Sequence, residues 1–411
     1  MRQASPFRAG MDKFKNLLVK IFTIMHKFKN LLYDLIPRYP GRELEILSCI
    51  SGILIEEPVL LIGPPGTAKT SIIDEISNKL GLKFFRILLT KFTQPEEVFG
   101  PFDITALREG KLKRVTDGKL PEANIAFFDE VWYASSAIRN SLLDVIEKRR
   151  FEGIPIDLVT IFGASNFMSQ DREDMAFADR FTFRIFMDVP LSPRLWEKIM
   201  MKAIDLSEER ITGTQFQRYN TSLDEIRKIH LEVIRDSRKA FDTLKDKISD
   251  ILLELISKGI FISDRRKFKI LPATVIINKM LGLEIDNKIG LSLAIKFVSP
   301  TSQDDIEVIN KVLISNKLTP YEDLIVKVTN LITEVMNVIK EFDEKVKQNV
   351  IQPEITQALK SYLEQINNLF NILTNDPLTK IGINNDMLYE LERIKLEIEK
   401  RLDIIRQKLG V

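Results

Sequence analysis

The chain of 411 residues holds a single cysteine, Cys49, so no internal disulfide can form, and a reducing compartment is the expectation. It has no uninterrupted apolar run near the ~20 residues a membrane span needs, and its first residues lack a signal-peptide layout. It also lacks a charge of dominant sign. With 29% charged residues and a formal net charge of +2, nothing demands nucleic acid or an anionic surface as partner. The expectation is a cytoplasmic protein long enough for about two to three domains.

What is present centres on Val59 to Ser71, read Val-Leu-Leu-Ile-Gly-Pro-Pro-Gly-Thr-Ala-Lys-Thr-Ser. A four-residue apolar strand enters a glycine-marked turn, and a Lys-Thr pair then opens a helix. Such a loop, here Gly63, Pro64, Pro65, Gly66, Thr67, Ala68, Lys69, Thr70 and Ser71, wraps backbone N–H groups around a polyphosphate. Lys69 would reach the terminal phosphates, and the Thr70 hydroxyl would hold magnesium. The strict pattern wants glycine before the lysine, where Ala68 stands; the strand–loop–helix context carries the assignment. ATP and Mg2+ are the expected ligands.

Further strands read at Phe84–Leu89, Ile125–Phe128, Leu158–Ala164 and Phe183–Val189, alternating with helices. That alternation predicts an α/β fold with a parallel sheet and a ligand at its carboxyl edge. Asp129 and Glu130 follow the third strand, one placed to hold magnesium and the next to polarise an attacking water. Asn166 ends the neighbouring strand, where it can position the same water.

Residues 11–36 carry a near repeat, Lys13-Phe-Lys-Asn-Leu-Leu18 and Lys27-Phe-Lys-Asn-Leu-Leu32. Phe14, Leu17, Leu18, Ile21, Phe28, Leu31 and Leu35 share one face of a basic amphipathic helix. It could lie on a membrane surface or a partner, but packing against its own protein is the more usual outcome. Met11 could be a natural start. From Ser192 onward only helices read, including Arg194–Ala203, Leu223–Leu244 and Ile248–Ile256. In the last hundred residues, Leu324 to Phe342 and Leu391 to Leu409 step by three and four, a helical hairpin or bundle broken near Pro353 and Asp376-Pro377. The boundaries drawn are 1–40, an amphipathic helix; 41–190, a nucleotide-binding domain with inserts; 191–300, a helical lid; and 301–411, a C-terminal helical region.

The order of residues resembles the AAA+ ATPases and, within them, the MoxR family, most closely its RavA-type branch. The stretch Thr90-Lys-Phe-Thr-Gln-Pro-Glu-Glu-Val-Phe-Gly-Pro101, then Leu120-Pro-Glu-Ala, Phe128-Asp-Glu-Val-Trp132 and Ser263-Asp-Arg-Arg266, carry it. The resemblance implies a P-loop AAA+ core with a helical lid, in which alanine before the Walker A lysine is ordinary. It implies Lys69 and Thr70 as Walker A, Asp129 and Glu130 as Walker B, and Asn166 as sensor 1. Arg180 matches the arginine finger lent to a neighbouring subunit. Arg265 matches sensor 2, with Arg266 the alternative. It implies β-hairpins at Phe102–Val115, turning at Glu109-Gly110, and at Arg150–Asp157, both facing a pore. It implies a hexameric ring that remodels protein clients as a chaperone, with a von Willebrand A domain protein as usual partner. A nucleic-acid motor or loader and a nucleotide-gated scaffold are the rival readings. The tail, being purely helical, departs from the RavA pattern.

Overall fold

The computed structural model describes residues 6–169, 171–189, 193–212, 217–318, 320–347, 353–380 and 385–409. Contacts divide the chain into two compact units, 1–316 and 317–411.

The first unit opens with α1 (Pro6–Leu35) and α2 (Glu43–Leu54), which leads into β1 (Val59–Ile62) and α3 (Lys69–Leu80). The apolar stripe of α1 turns inward. Ile21, Phe28, Leu31 and Leu35 are buried, and α1 packs on α2, on α9 (Leu223–Ser257) and on α10 (Asp264–Leu281). Lys27 bonds Glu225 at 2.6 Å, and Asp34 accepts from Lys79 at 2.8 Å, so the polar face of α1 is stitched to α9 and to α3. The side chains of Phe14, Leu17 and Leu18 lie outside the described set.

Five parallel strands build the sheet: β1, β2 (Phe84–Leu88), β3 (Ile125–Asp129), β6 (Thr160–Ser165) and β7 (Phe183–Phe186), in the order β2-β3-β6-β1-β7. Every residue of β1 and β6 is buried, as expected for central parallel strands covered on both faces, so their sequences read as continuous apolar runs. Register aligns the carboxyl ends: Ile62 sits beside Ser165 on one side and Phe186 on the other. The phosphate loop, Asn166 and Asp129 therefore leave the sheet at one edge.

The predicted hairpin at Phe102–Val115 is instead a short helix, α5 (Ile104–Arg108), closed by one antiparallel bridge from Phe102 to Arg114. Asp103 caps it by accepting from the Thr105 and Ala106 amides, and the amides of Gly110 and Lys111 return to Leu107 and Ala106. That is a Schellman stop, so Glu109-Gly110 ends a helix where a hairpin turn was expected. Before it lies α4 (Pro95–Phe99), opened by a capping box from Gln94 and Glu97. The second insert is a β-hairpin, β4 (Arg150–Phe151) with β5 (Ile154–Pro155), following α6 (Ser136–Lys148). The inserts touch: Phe99 stacks on Phe151 at 4.9 Å, and Arg114 bonds Glu152 at 3.0 Å.

Beyond β6 come α7 (Arg172–Ala178), β7 and α8 (Pro193–Thr212). The two helices expected at 223–256 are one, α9, because the intervening Lys245-Asp246-Lys247 is polar but holds no glycine or proline to break it. Then α10, α11 (Lys288–Val298) and α12 (Asp305–Ser315) complete the unit, with α12 packed on α9 and α11.

In the second unit α13 (Pro320–Lys347), α14 (Pro353–Asn375), α15 (Pro377–Lys380) and α16 (Asn385–Leu409) form a helical bundle. Its three long helices share a core that includes Val335, Leu359, Leu373, Leu391 and Ile398, and Arg401 clamps Asp343 across it at 3.0 and 2.7 Å. The breaks fall at Pro353 and Asp376-Pro377. The side chains of Leu324 and Leu409 lie outside the described set.

Candidate active site

The turn from β1 to α3 is shaped by backbone conformation. Gly66 (φ 80°) and Ala68 (φ 68°) both take the left-handed region, and Ala68 is the residue just before the helix. Gly63 is required for another reason: a Cβ there would stand 2.4 Å from the Met187 carbonyl oxygen, just past the end of the neighbouring strand β7.

Lys69 is buried, with its Nζ donating to the Gly63 carbonyl at 2.6 Å and the Pro64 carbonyl at 2.9 Å. It also reaches the Asn166 Oδ1 at 3.4 Å. The other end of that amide donates to Glu130 Oε1 at 2.5 Å. The Thr70 hydroxyl donates to Asp129 Oδ2 at 3.1 Å. The structure thus brings Lys69, Thr70, Asp129, Glu130 and Asn166 together at one sheet edge, drawn from three strands.

Electrostatics follow from the crowding. Burial, then the neighbouring Asp129 charge, push the Glu130 carboxyl above its ordinary value, while Lys69 opposes them. Burial pulls the Lys69 ammonium down against the attraction of Glu130 and Asp129, with Arg42 adding to the fall. Glu130 also holds a left-handed backbone (φ 54°), uncommon for a glutamate and typical of strain kept at a working site. Trp132 fixes the far side of the site by donating to the Phe167 carbonyl at 2.7 Å.

Magnesium needs hard oxygen donors and ordinarily keeps waters and substrate phosphates among its ligands. The Thr70 hydroxyl and Asp129 carboxylate, converging within hydrogen-bond distance at the loop, fit that demand, even though no cluster of three or more acid, His or Cys side chains exists among the described residues.

A cavity of about 430 Å³ adjoins the loop, lined by Tyr39, Pro65, Ala68, Val189, Ile199 and Leu206 among others. Its mixed apolar wall is sized for a nucleobase and ribose beside the phosphates. The Tyr39 hydroxyl lies 2.7 Å from Glu75, and Arg38 joins Glu75 on α3 to Glu209 on α8, tying the wall together. Sequence reasoning passed over these residues because Pro37 to Gly41 reads only as a break.

Arg180 and Arg265 lie elsewhere. Arg180 Nε donates to Glu147 Oε1 at 2.9 Å, and Arg265 NH2 to the same oxygen at 2.7 Å. Arg265 also bonds Asp179 at 3.2 Å. Arg266 is buried and takes structural partners, Asp179 at 3.1 Å and the Val298 carbonyl at 2.8 Å, so of the two adjacent arginines only Arg265 is surface-accessible.

A parallel sheet with a lysine-bearing phosphate loop, paired acids on the next strand but one, and a polar residue ending the strand between defines the core of a P-loop ATPase of the AAA+ type. Comparison with known proteins narrows this. The MoxR domain of the MoxR-vWA-beta-propeller ternary systems matches residues 27–229. Two uncharacterized proteins of Methanocaldococcus jannaschii are similar. One is 36% identical over 59% of this chain and 63% of its own length, so the aligned stretch spans under two thirds of it. The other is 32% identical over 78% of this chain and 82% of its own. Chaperone MoxR1 of Mycobacterium tuberculosis is 26% identical over 30% of this chain and 32% of its own. In fold, a solved structure of a candidate ATPase from Cytophaga hutchinsonii matches with a TM-score of 0.56 and 17% identity, over 73% of this chain and 97% of that one. The chain belongs to the MoxR family of AAA+ ATPases.

Proposed function

We propose that this protein hydrolyses ATP in a ring of identical subunits and uses the cycle to remodel a protein client. The observation that carries the reading is the chain of contacts from Lys69 through Asn166 to Glu130, beside the Thr70–Asp129 pair. Lys69 binds the terminal phosphates and offsets their charge. Thr70 and Asp129 would hold magnesium, which when bound would offset the charge of the phosphates. Asn166 orients the water, and Glu130 takes its proton as the water oxygen bonds the γ-phosphorus in line with the breaking bond to ADP, which leaves.

Arg180 and Arg265 bond Glu147 and Asp179 and not the loop of their own chain, which supports a role toward the phosphates of a second copy. A guanidinium offered across a subunit boundary is worth ~10³–10⁵ in rate in other phosphoryl-transfer enzymes. A ring of six is the family arrangement, and the matched family's description, which joins MoxR to vWA proteins, supports a von Willebrand A domain partner. The name of the mycobacterial relative, a chaperone, supports the client-remodelling reading. The stretch from Thr90 to Pro101 supports placement near the RavA-type branch. Within the first unit we read residues 41–190 as the nucleotide-binding domain and 191–300 as the lid.

Phosphate release tests this. Lys69→Ala should lose most ATP binding, whereas Glu130→Gln should bind ATP normally and hydrolyse it at least ~100-fold more slowly. Equal loss of binding in both variants would contradict the assignment, and strong stimulation by DNA would favour a nucleic-acid motor.

A further inference from the structure

Arg180 and Arg265 reach one surface from separate elements. Arg180 follows α7 and is tied back to the Ala176 carbonyl at 2.7 Å; Arg265 stands in the first turn of α10, in the lid, and bonds Asp179. Both guanidinium groups end on a single atom, Glu147 Oε1. Two like charges so close repel unless an acid sits between them, and Glu147 is that acid.

The acid itself is anchored. It lies in the last turn of α6, which stops where Arg149 turns the chain through a left-handed conformation (φ 51°). Arg149 NH2 then donates to the Glu56 carbonyl at 2.6 Å and the Val159 carbonyl at 3.2 Å, fastening the helix end to the segments flanking β1 and β6. The side chains of Arg180, Glu147 and Arg265 keep 21%, 33% and 40% exposure and line an open cleft of about 430 Å³ shared with Lys269 and His230. A guanidinium has five donors, so each arginine can keep Glu147 through one and offer others to a phosphate.

We propose that Glu147 is a positioning residue for ATP hydrolysis, holding Arg180 and Arg265 as a pair where they meet the phosphates of a second copy. This rests on Arg180 acting across the subunit boundary. Without Glu147 the core arginine and the lid arginine separate, and the neighbour's transition state loses an aligned partner.

The test is steady-state hydrolysis by full-length Glu147→Ala, Glu147→Gln, Glu147→Asp and Arg180→Ala proteins. Glu147→Ala should lower kcat about 10- to 100-fold, the scale of a misplaced catalytic group. KM for ATP should stay within about twofold, because the nucleotide is held by another subunit's loop. Glu147→Gln keeps the reach but loses the charge that holds the two cations together and should recover only part of kcat, and Glu147→Asp, one methylene short, should also fall below wild type. Added to Arg180→Ala, Glu147→Ala should cost less than it does alone, since the part of its effect that runs through Arg180 is already gone. Wild-type kcat in Glu147→Ala, or losses that multiply in the double variant, would overturn the proposal while leaving the role of Arg180 intact. Wild-type kcat in Arg180→Ala would overturn both, which separates the two failures. Should Glu147→Ala not fold, Glu147→Asp equal to wild type would overturn it.

Discussion

In the proposed mechanism Glu130 is the residue on which the chemistry turns, and its surroundings set a pH dependence. As a base it must be ionised, and burial with the Asp129 charge raises its pKa above the ordinary 4.5. Lowering the pH therefore protonates Glu130 in the free protein sooner than an exposed glutamate, and the acid limb of kcat/KM, which reports the free enzyme, should fall at a pH above 4.5. A limb at or below that value would contradict the buried, paired environment. Ala68 offers a second residue-scale check. Its φ of 68° is one a Cβ tolerates poorly and a β-branched side chain worse, so Ala68→Val should lower stability by about 1–3 kcal/mol while Ala68→Gly holds within about 1 kcal/mol. Thermal melting of the two variants decides it, and equal melting would refute the strain.

At the scale of elements, the insert between β2 and β3 depends on a close approach. Gly100 (φ 94°) passes so near Val115 that an added Cβ would lie 2.0 Å from its carbonyl oxygen. Gly100→Ala should lower the unfolding free energy by about 1–3 kcal/mol, read by denaturant titration; no change would mean that the insert is not seated as described. This insert also shows where sequence reading stops. The strands were legible because buried parallel strands are continuous apolar runs, and α2 because apolar spacing and a following turn bound it. Glu109-Gly110 was not, since one dipeptide serves both a hairpin turn and a helix stop, and the deciding bonds come from Asp103 and Ala106. Lys69, Thr70, Asp129, Glu130 and Asn166 could be picked out because each follows a strand or loop with a local signature. Glu147 and Asp179 could not: their partner Arg265 lies 118 and 86 residues away, and only folding joins them.

For the whole molecule, the two compact units make a prediction about independence. The bundle of residues 317–411 has its own core, so a protein ending at Asn316 should stay folded and retain nucleotide turnover while losing coupling to partner or client. An insoluble or inactive truncation, seen by gel filtration and phosphate release, would show that the bundle completes the first unit. No helix among the described residues is long and apolar enough to cross a membrane. Assembly is the property on which the proposed mechanism depends, because Arg180 and the phosphate loop do not meet within one chain. The most direct measurement mixes Arg180→Ala subunits with Lys69→Ala subunits over a range of ratios, with mixing confirmed by native mass spectrometry. Each alone should be nearly inactive. Together they should regain part of the ATPase activity, because an Arg180→Ala subunit keeps an intact loop and its Lys69→Ala neighbour supplies the arginine. Mixed assemblies that stay inactive at every ratio would contradict a site shared between subunits.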